Sequence, residues 1–175
     1  PGLETFQGKW YHTGTWPHDG VDLRGKRVGQ IGTGSTGIQA VPVIAEAAQH
    51  LTVFQRTANY SVPAQNKPLT KEFRTWVREH WADIRRTTRT TVNGHPFTID
   101  NRSVKDVSDD ELRAMLEKAW EVGWLQFRAN FNDVLTDESA NAKLAEFVKD
   151  KIRSIVKDRE TAEKLADSDH PYAAK

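Results

Sequence analysis

Residues 32–37 read Gly-Thr-Gly-Ser-Thr-Gly, and three glycines at this spacing narrow the fold more than anything else in the chain. The first glycine allows a tight turn. The second lets a phosphate approach the backbone, and the third lets a helix pack closely on a strand. The flanks make the pattern specific. Lys26-Arg27-Val28-Gly29-Gln30-Ile31 is a candidate strand, Ile38 to His50 is alanine-rich and helical, and Leu51-Thr52-Val53-Phe54 is a second candidate strand. Strand, glycine turn, helix and strand in about 30 residues predict a βαβ unit whose crossover favours a parallel pair. Pro42 lies inside the helical stretch, where a proline costs on the order of 3 kcal/mol, so a kink is expected there.

In such a unit the phosphates of a dinucleotide lie against the free amides at the helix start. The end of the second strand then selects the nucleotide. A NAD site places a carboxylate there for the ribose 2′-hydroxyl, whereas a NADP site supplies a cation for the 2′-phosphate. Here the chain reads Phe54-Gln55-Arg56-Thr57, with no acid. Arg56 can grip a phosphate through its planar fork, with Thr57 as a second donor. NADP(H) is therefore expected over NAD(H), and the candidate contacts are Gly32, Thr33, Gly34, Ser35, Thr36, Gly37, Gln39, Arg56 and Thr57. The plainer alternatives are a turn that merely packs tightly and an arginine that is a solvated surface charge.

With 175 residues the chain makes one ordinary domain or two small ones. Its 25 basic and 24 acidic residues leave a net charge of +1, which argues against a polybasic nucleic-acid binder. There is no cysteine, so disulfides, thiolate metal sites and cysteine nucleophiles are excluded, and a cytoplasmic setting fits. The longest apolar run, Ala40 to Ala45, is far shorter than the roughly 18 residues of a membrane span. The opening Pro1-Gly2-Leu3-Glu4 lacks the features of a signal peptide, and a start on proline suggests a piece of a longer chain. The histidines His12, His18, His50, His80, His95 and His170 include no i, i+4 pair and no HExxH, so no metal site is expected.

Beyond Asn59 the pattern turns to loop and then helix. Ser61-Val62-Pro63 and Asn66-Lys67-Pro68 are breakers, and Thr70 stands where an N-cap would be. Phe73, Trp76, Val77, Trp81 and Ile84 predict one apolar helical face, and core packing is the default for Trp76, Trp81, Trp120 and Trp124. Residues 87–105, with Asn93-Gly94 and His95-Pro96, read as a loop or hairpin-like turn. Ser108-Asp109-Asp110-Glu111 is a capping box opening a helix with Leu112, Met115, Leu116, Ala119 and Trp120. Another helix is predicted from about Ser139, carrying Leu144, Phe147, Val148, Ile152, Ile155 and Val156 on one stripe, and a short one from Thr161 to Ala166. The fold class read from the chain is α/β: a Rossmann-like βαβ NADP-binding unit with a mostly helical second part.

Ahead of the glycine turn lies Phe6-x-Gly8-x-x-x-His12-x-x-x-Trp16-Pro17, which resembles the signature of the Baeyer–Villiger monooxygenases. A plainer reading is a buried His and Trp that pack a linker. The resemblance extends along the chain, through Phe54-Gln55-Arg56-Thr57 and Val62-Pro63-Ala64 to His170-Pro171-Tyr172-Ala173-Ala174-Lys175. It implies an enzyme that uses FAD and NADPH to insert an oxygen atom from dioxygen beside a ketone, giving an ester or lactone. It further implies that residues 1–25 are a linker, that 26–62 open the NADP domain, that 63–170 are a helical insertion and that 171–175 return to the domain. Lys175 matches a lysine that meets the NADP 2′-phosphate or ribose. The same resemblance implies that Phe6, Gly8, His12, Trp16 and Pro17 are conformational rather than catalytic.

In the family the arginine that assists oxygen chemistry at the flavin comes directly after that lysine, so no catalytic residue is expected within the chain. FAD would be bound mainly by parts outside it, and the partners are a small ketone and the FAD domain, with no nucleic acid and no membrane. Two other functions remain open on sequence alone. One is a flavin monooxygenase that oxidises nitrogen or sulfur, which usually lacks the Trp-Pro ending. The other is a non-catalytic NADP-binding module whose helical block docks a partner.

Overall fold

The computed structural model describes residues 2–91, 94–95, 99–123, 127–167 and 170–173. The chain divides into two compact units, Pro1–Ala58 and Asn59–Lys175. In the first, short 3-10 turns at Leu3–Thr5 and Thr13–Thr15 precede strand β1 (Arg27–Ile31), helix α1 (Ser35–Ala47) and strand β2 (His50–Phe54). The strands pair in parallel, from Arg27 opposite His50 to Ile31 opposite Phe54. This is the predicted βαβ unit, with shifted bounds.

The helix starts three residues earlier than its apolar pattern suggests and runs through Pro42 as one element. It stops at Ala47 because Ala48 is extended and the amides of Gln49 and His50 both donate to the Lys26 carbonyl, which draws His50 into the sheet. Parallel strands are normally covered on both faces. Here Ile31 is 89% exposed, and Val43 and Phe54 are exposed too.

The second unit holds the core. Helix α2 (Lys71–Glu79) is capped by Thr70, whose Oγ1 accepts from the Phe73 amide at 3.1 Å. The single helix expected from the aromatic spacing is instead two. The chain breaks at His80 (φ −102°, ψ 12°), and α3 (Trp81–Thr90) follows, taking in part of the stretch expected to be loop. His80 stacks on Trp76 at 4.8 Å and its Nδ1 lies 2.9 Å from the Trp76 carbonyl. Core packing fails for Trp76 and Trp81, which are 47% and 53% exposed beside a Phe73 49% exposed, while Trp120 packs against the core. Periodicity shows that a face is apolar but not whether anything covers it. Trp124, Asn93 and Pro96 lie outside the described residues.

Helix α4 (Asp109–Val122) starts on Ser108, whose Oγ accepts from the Glu111 amide at 3.2 Å. Glu111 turns to Arg102 at 3.6 Å, so only the serine half of the predicted box forms among the described contacts. A complete box closes a few residues earlier, between Ser103 and Asp106, around a 3-10 turn. Gly123 ends α4 at φ +78°, and a Cβ there would stand 2.5 Å from the Pro63 carbonyl oxygen, so the position demands glycine.

Helix α5 (Glu138–Ile155) is capped by Asp137, which accepts from the Ala140 amide at 2.9 Å. The Lys105 ammonium and the Ser139 hydroxyl also donate to Asp137 and hold its carboxyl well below the usual carboxylate range. Helix α6 (Arg159–Ala166) closes the fold on an Asp158 cap.

Leu112, Leu116 and Ala119 of α4 meet Leu144, Phe147 and Val148 of α5, with Phe127, Phe131, Val134 and Val104 completing the core. Phe127 is its centre, with ring centroids 5.7 Å from Phe147, 5.5 Å from Tyr172 and 6.2 Å from Trp120. The predicted α5 stripe is buried as far as Val148, while Ile155 in the last turn is exposed.

Among the described residues, Asn141 is the buried polar side chain of this interior. Its Nδ2 donates to the carbonyls of Val134 at 2.8 Å and Tyr172 at 2.9 Å, and its Oδ1 accepts from the Tyr172 amide at 2.8 Å. One side chain thus satisfies both backbone groups of Tyr172 and fixes the C-terminal segment to α5. Burial pushes the Tyr172 hydroxyl up to about 12.

Leu144 is fully buried at the α4–α5 contact. Leu144→Ala is expected to cost about 2–5 kcal/mol of stability, read by urea unfolding, with the helical circular dichroism retained at zero denaturant.

Candidate nucleotide-binding turn

The turn that joins β1 to α1 begins at Gly32, in the left-handed region at φ +97°, where a side chain would be strained. The Gly32 amide donates to the Phe54 carbonyl at 2.9 Å and so extends the ladder past Ile31. That bond places the end of β2 beside the turn. Gly34 is the extended N-cap of α1 and lends no side-chain cap. The first amides of a helix have no intrahelical acceptor, so those at its start face outward, with the positive end of the helix dipole behind them.

A Cβ on Gly37 would stand 2.4 Å from the Gly32 carbonyl oxygen. The third glycine is therefore dictated by the turn's own backbone, since any side chain would push the start of α1 away from the first glycine. Nothing lies within 4 Å of a Cβ built on Gly34, so the backbone there stands open to a close approach. Open space, outward amides and a helix dipole fit a diphosphate.

Two side chains missed from the sequence shape this turn. Gln30, in β1, donates through Nε2 to the carbonyls of Gly32 at 3.1 Å and Gly37 at 3.0 Å, tying its two ends together. The one signal was an amide residue inside the apolar strand Val28-Gly29-Gln30-Ile31. Gln55 donates to Thr33 Oγ1 at 3.0 Å from the far end of the unit.

The other predicted residues take these places. Ser35 and Thr36 open α1, and Gln39 bends back on its own helix, donating to the Ser35 carbonyl at 2.8 Å. Arg56 and Thr57 follow β2, with Arg56 exposed and in no ion pair among the described residues. Lys175 lies outside the described residues. The structure thus gathers the turn residues with Gln55.

The signature segment is ordered by local contacts. A Cβ on Gly8 would stand 2.6 Å from the Phe6 ring, so glycine lets that ring fold over the backbone. His12 caps the Thr13–Thr15 turn, its Nδ1 accepting from the Gly14 amide at 3.1 Å. Trp16 packs at 5.7 Å on Tyr11, and Pro17 accepts from the Gly20 amide at 3.0 Å. His12 and Trp16 are exposed rather than buried in a linker. Among the described residues no three His, Asp or Glu side chains converge as metal ligands, and no helix is long and apolar enough to cross a membrane.

No protein-family model matches the chain. It is 41% identical, over 99% of its length, to 2-oxo-Delta(3)-4,5,5-trimethylcyclopentenylacetyl-CoA monooxygenase of Pseudomonas putida, covering 33% of that protein. It is 40% identical to phenazine N-monooxygenase PhzNO1 of Lysobacter antibioticus, over 97% of its length and 31% of the relative. It is also 40% identical to a Baeyer–Villiger monooxygenase of Pseudooceanicola batsensis, over 96% of its length and 31% of the relative. Among solved structures, cyclohexanone monooxygenase from Rhodococcus sp. Phi1 bound to NADP+ superposes with a TM-score of 0.90 at 40% identity, over 100% of this chain and 33% of that one. The chain spans about a third of the length of the relatives it matches. With this identity along its whole length and the same fold, the chain is a homologue of the Baeyer–Villiger monooxygenases and corresponds to about one third of such a protein.

Proposed function

We propose that the chain is the NADPH-binding segment of an FAD-dependent Baeyer–Villiger monooxygenase that converts ketones to esters or lactones with dioxygen. The observation that carries this reading is the uncapped glycine turn with Arg56 just past the neighbouring strand, in a homologue of a protein solved with NADP+. The diphosphate lies against the first amides of α1, where the helix dipole favours negative charge. Gly32 and Gly34 give it access, and Gly37 lets α1 start close against the turn. Ser35 and Thr36 line the approach, while Arg56 and Thr57 take the 2′-phosphate with Lys175. Gln39 closes the first turn of the helix.

FAD, when bound by the parts of the enzyme outside this chain, supplies the oxygen chemistry. The role of this segment is to bind and orient the reductant. Residues 26–62 open the NADP domain, 63–170 are inserted into it and 171–175 return to it, with Asn141 holding that return at Tyr172. Phe6, Gly8, His12, Trp16 and Pro17 shape the segment leading into the domain.

A second reading, oxidation of a heterocyclic nitrogen, is favoured by the phenazine N-monooxygenase relative. Incubating the full-length protein with NADPH, air and either a cyclic ketone or an aromatic N-heterocycle separates the two. A lactone is the expected product, whereas an N-oxide without lactone overturns the ketone reading.

The nucleotide choice has its own test. Arg56→Ala is expected to weaken NADP+ about tenfold or more, the scale of hydrogen bonds to a charged group, while leaving NAD+ unchanged in calorimetric titrations.

A further inference from the structure

Gln55 is bonded to Thr33 across 22 positions of sequence, and the reason lies in how β2 ends. The last ladder bond, from the Gly32 amide to the Phe54 carbonyl, brings the next residue out of the sheet directly beside the glycine turn. From there the Gln55 Nε2 donates to Thr33 Oγ1 at 3.0 Å. A hydroxyl offers one hydrogen and two acceptor sites. With an acceptor site filled by the amide, the Thr33 hydrogen is left to point at another acceptor. Thr33 lies between Gly32 and Gly34, at the mouth of the turn that opens α1, whose N-cap lends no side chain to the first amides.

We propose that Gln55 is a positioning residue that sets the Thr33 hydroxyl as a donor to the dinucleotide diphosphate. This rests on the reading of the turn as a nucleotide site. Gln55 itself does not touch the ligand. Its effect passes through Thr33, and because the diphosphate is common to both dinucleotides, that effect is equal for NADP+ and NAD+. Arg56, one residue on, acts on the 2′-phosphate alone.

A double-mutant cycle on the full-length protein, read as dissociation constants for both dinucleotides, tests this. Thr33→Val is expected to weaken NADP+ and NAD+ alike by about tenfold, as for loss of a hydrogen bond to a charged group. Gln55→Met is expected to weaken both by a few-fold and to cost nothing further in the Thr33→Val background. Thr33→Ser, which keeps the hydroxyl, should stay near the parent value and keep its sensitivity to Gln55→Met. The proposal is overturned if Gln55→Met costs as much in the absence of the Thr33 hydroxyl, which would show a general structural effect. It is equally overturned if the loss is confined to NADP+, which would place Gln55 with Arg56, or if Gln55→Met changes nothing while Arg56→Ala still shifts the preference. If the parent protein binds neither dinucleotide, the reading of the turn fails and this proposal fails with it.

Discussion

The nucleotide-binding end of this chain depends on how closely the start of α1 approaches the carbonyl of Gly32. At 2.4 Å there is no room for a methyl group on Gly37, and the Gln30 amide bonds to the carbonyls of both glycines. This closeness sets the direction of α1 and aims its first amides into open space. The Gly32–Phe54 bond then fixes where β2 stops, and with it where Gln55, Arg56 and Thr57 leave the sheet. Strand, turn and helix start are thus one mechanical unit.

The second unit is organised by different means. Its interior is an aromatic cluster centred on Phe127, clamped between α4 and α5, where burial of large rings is the main source of stability. One buried amide, Asn141, interrupts the apolar interior and is fully used by backbone partners. Left without Asn141, the Tyr172 amide and carbonyl would be buried and unpaired, at a cost of about 1–3 kcal/mol for such a group. A single polar side chain therefore decides where the last described segment runs, three residues ahead of Lys175.

What could be read in the sequence was what depends on near neighbours. The strand–turn–helix order, the Thr70 cap, the serine half of the Ser108 cap and the apolar stripe of α5 all follow from local rules. Bounds were harder, because the last turn of α1 yields to the Lys26 carbonyl, which captures two amides that a longer helix would keep. The aromatic face of α2 and α3 misled, since an apolar period looks the same whether a partner covers it or water does. The roles of Gln30, Gln55 and Asn141 were invisible because each amide acts on backbone or side chains that only the fold brings near. At the turn the glycines were legible, and the glutamines that hold them were not.

The central claim, that the Gly32–Gly37 turn grips a dinucleotide diphosphate, is tested most directly by mapping amide chemical shifts of the isotope-labelled protein during titration with NADP+. The largest saturable shifts are predicted at Thr33 to Gly37 and at Arg56 and Thr57. Saturable shifts confined to the exposed face of α2 and α3, with the turn amides unmoved, would contradict it.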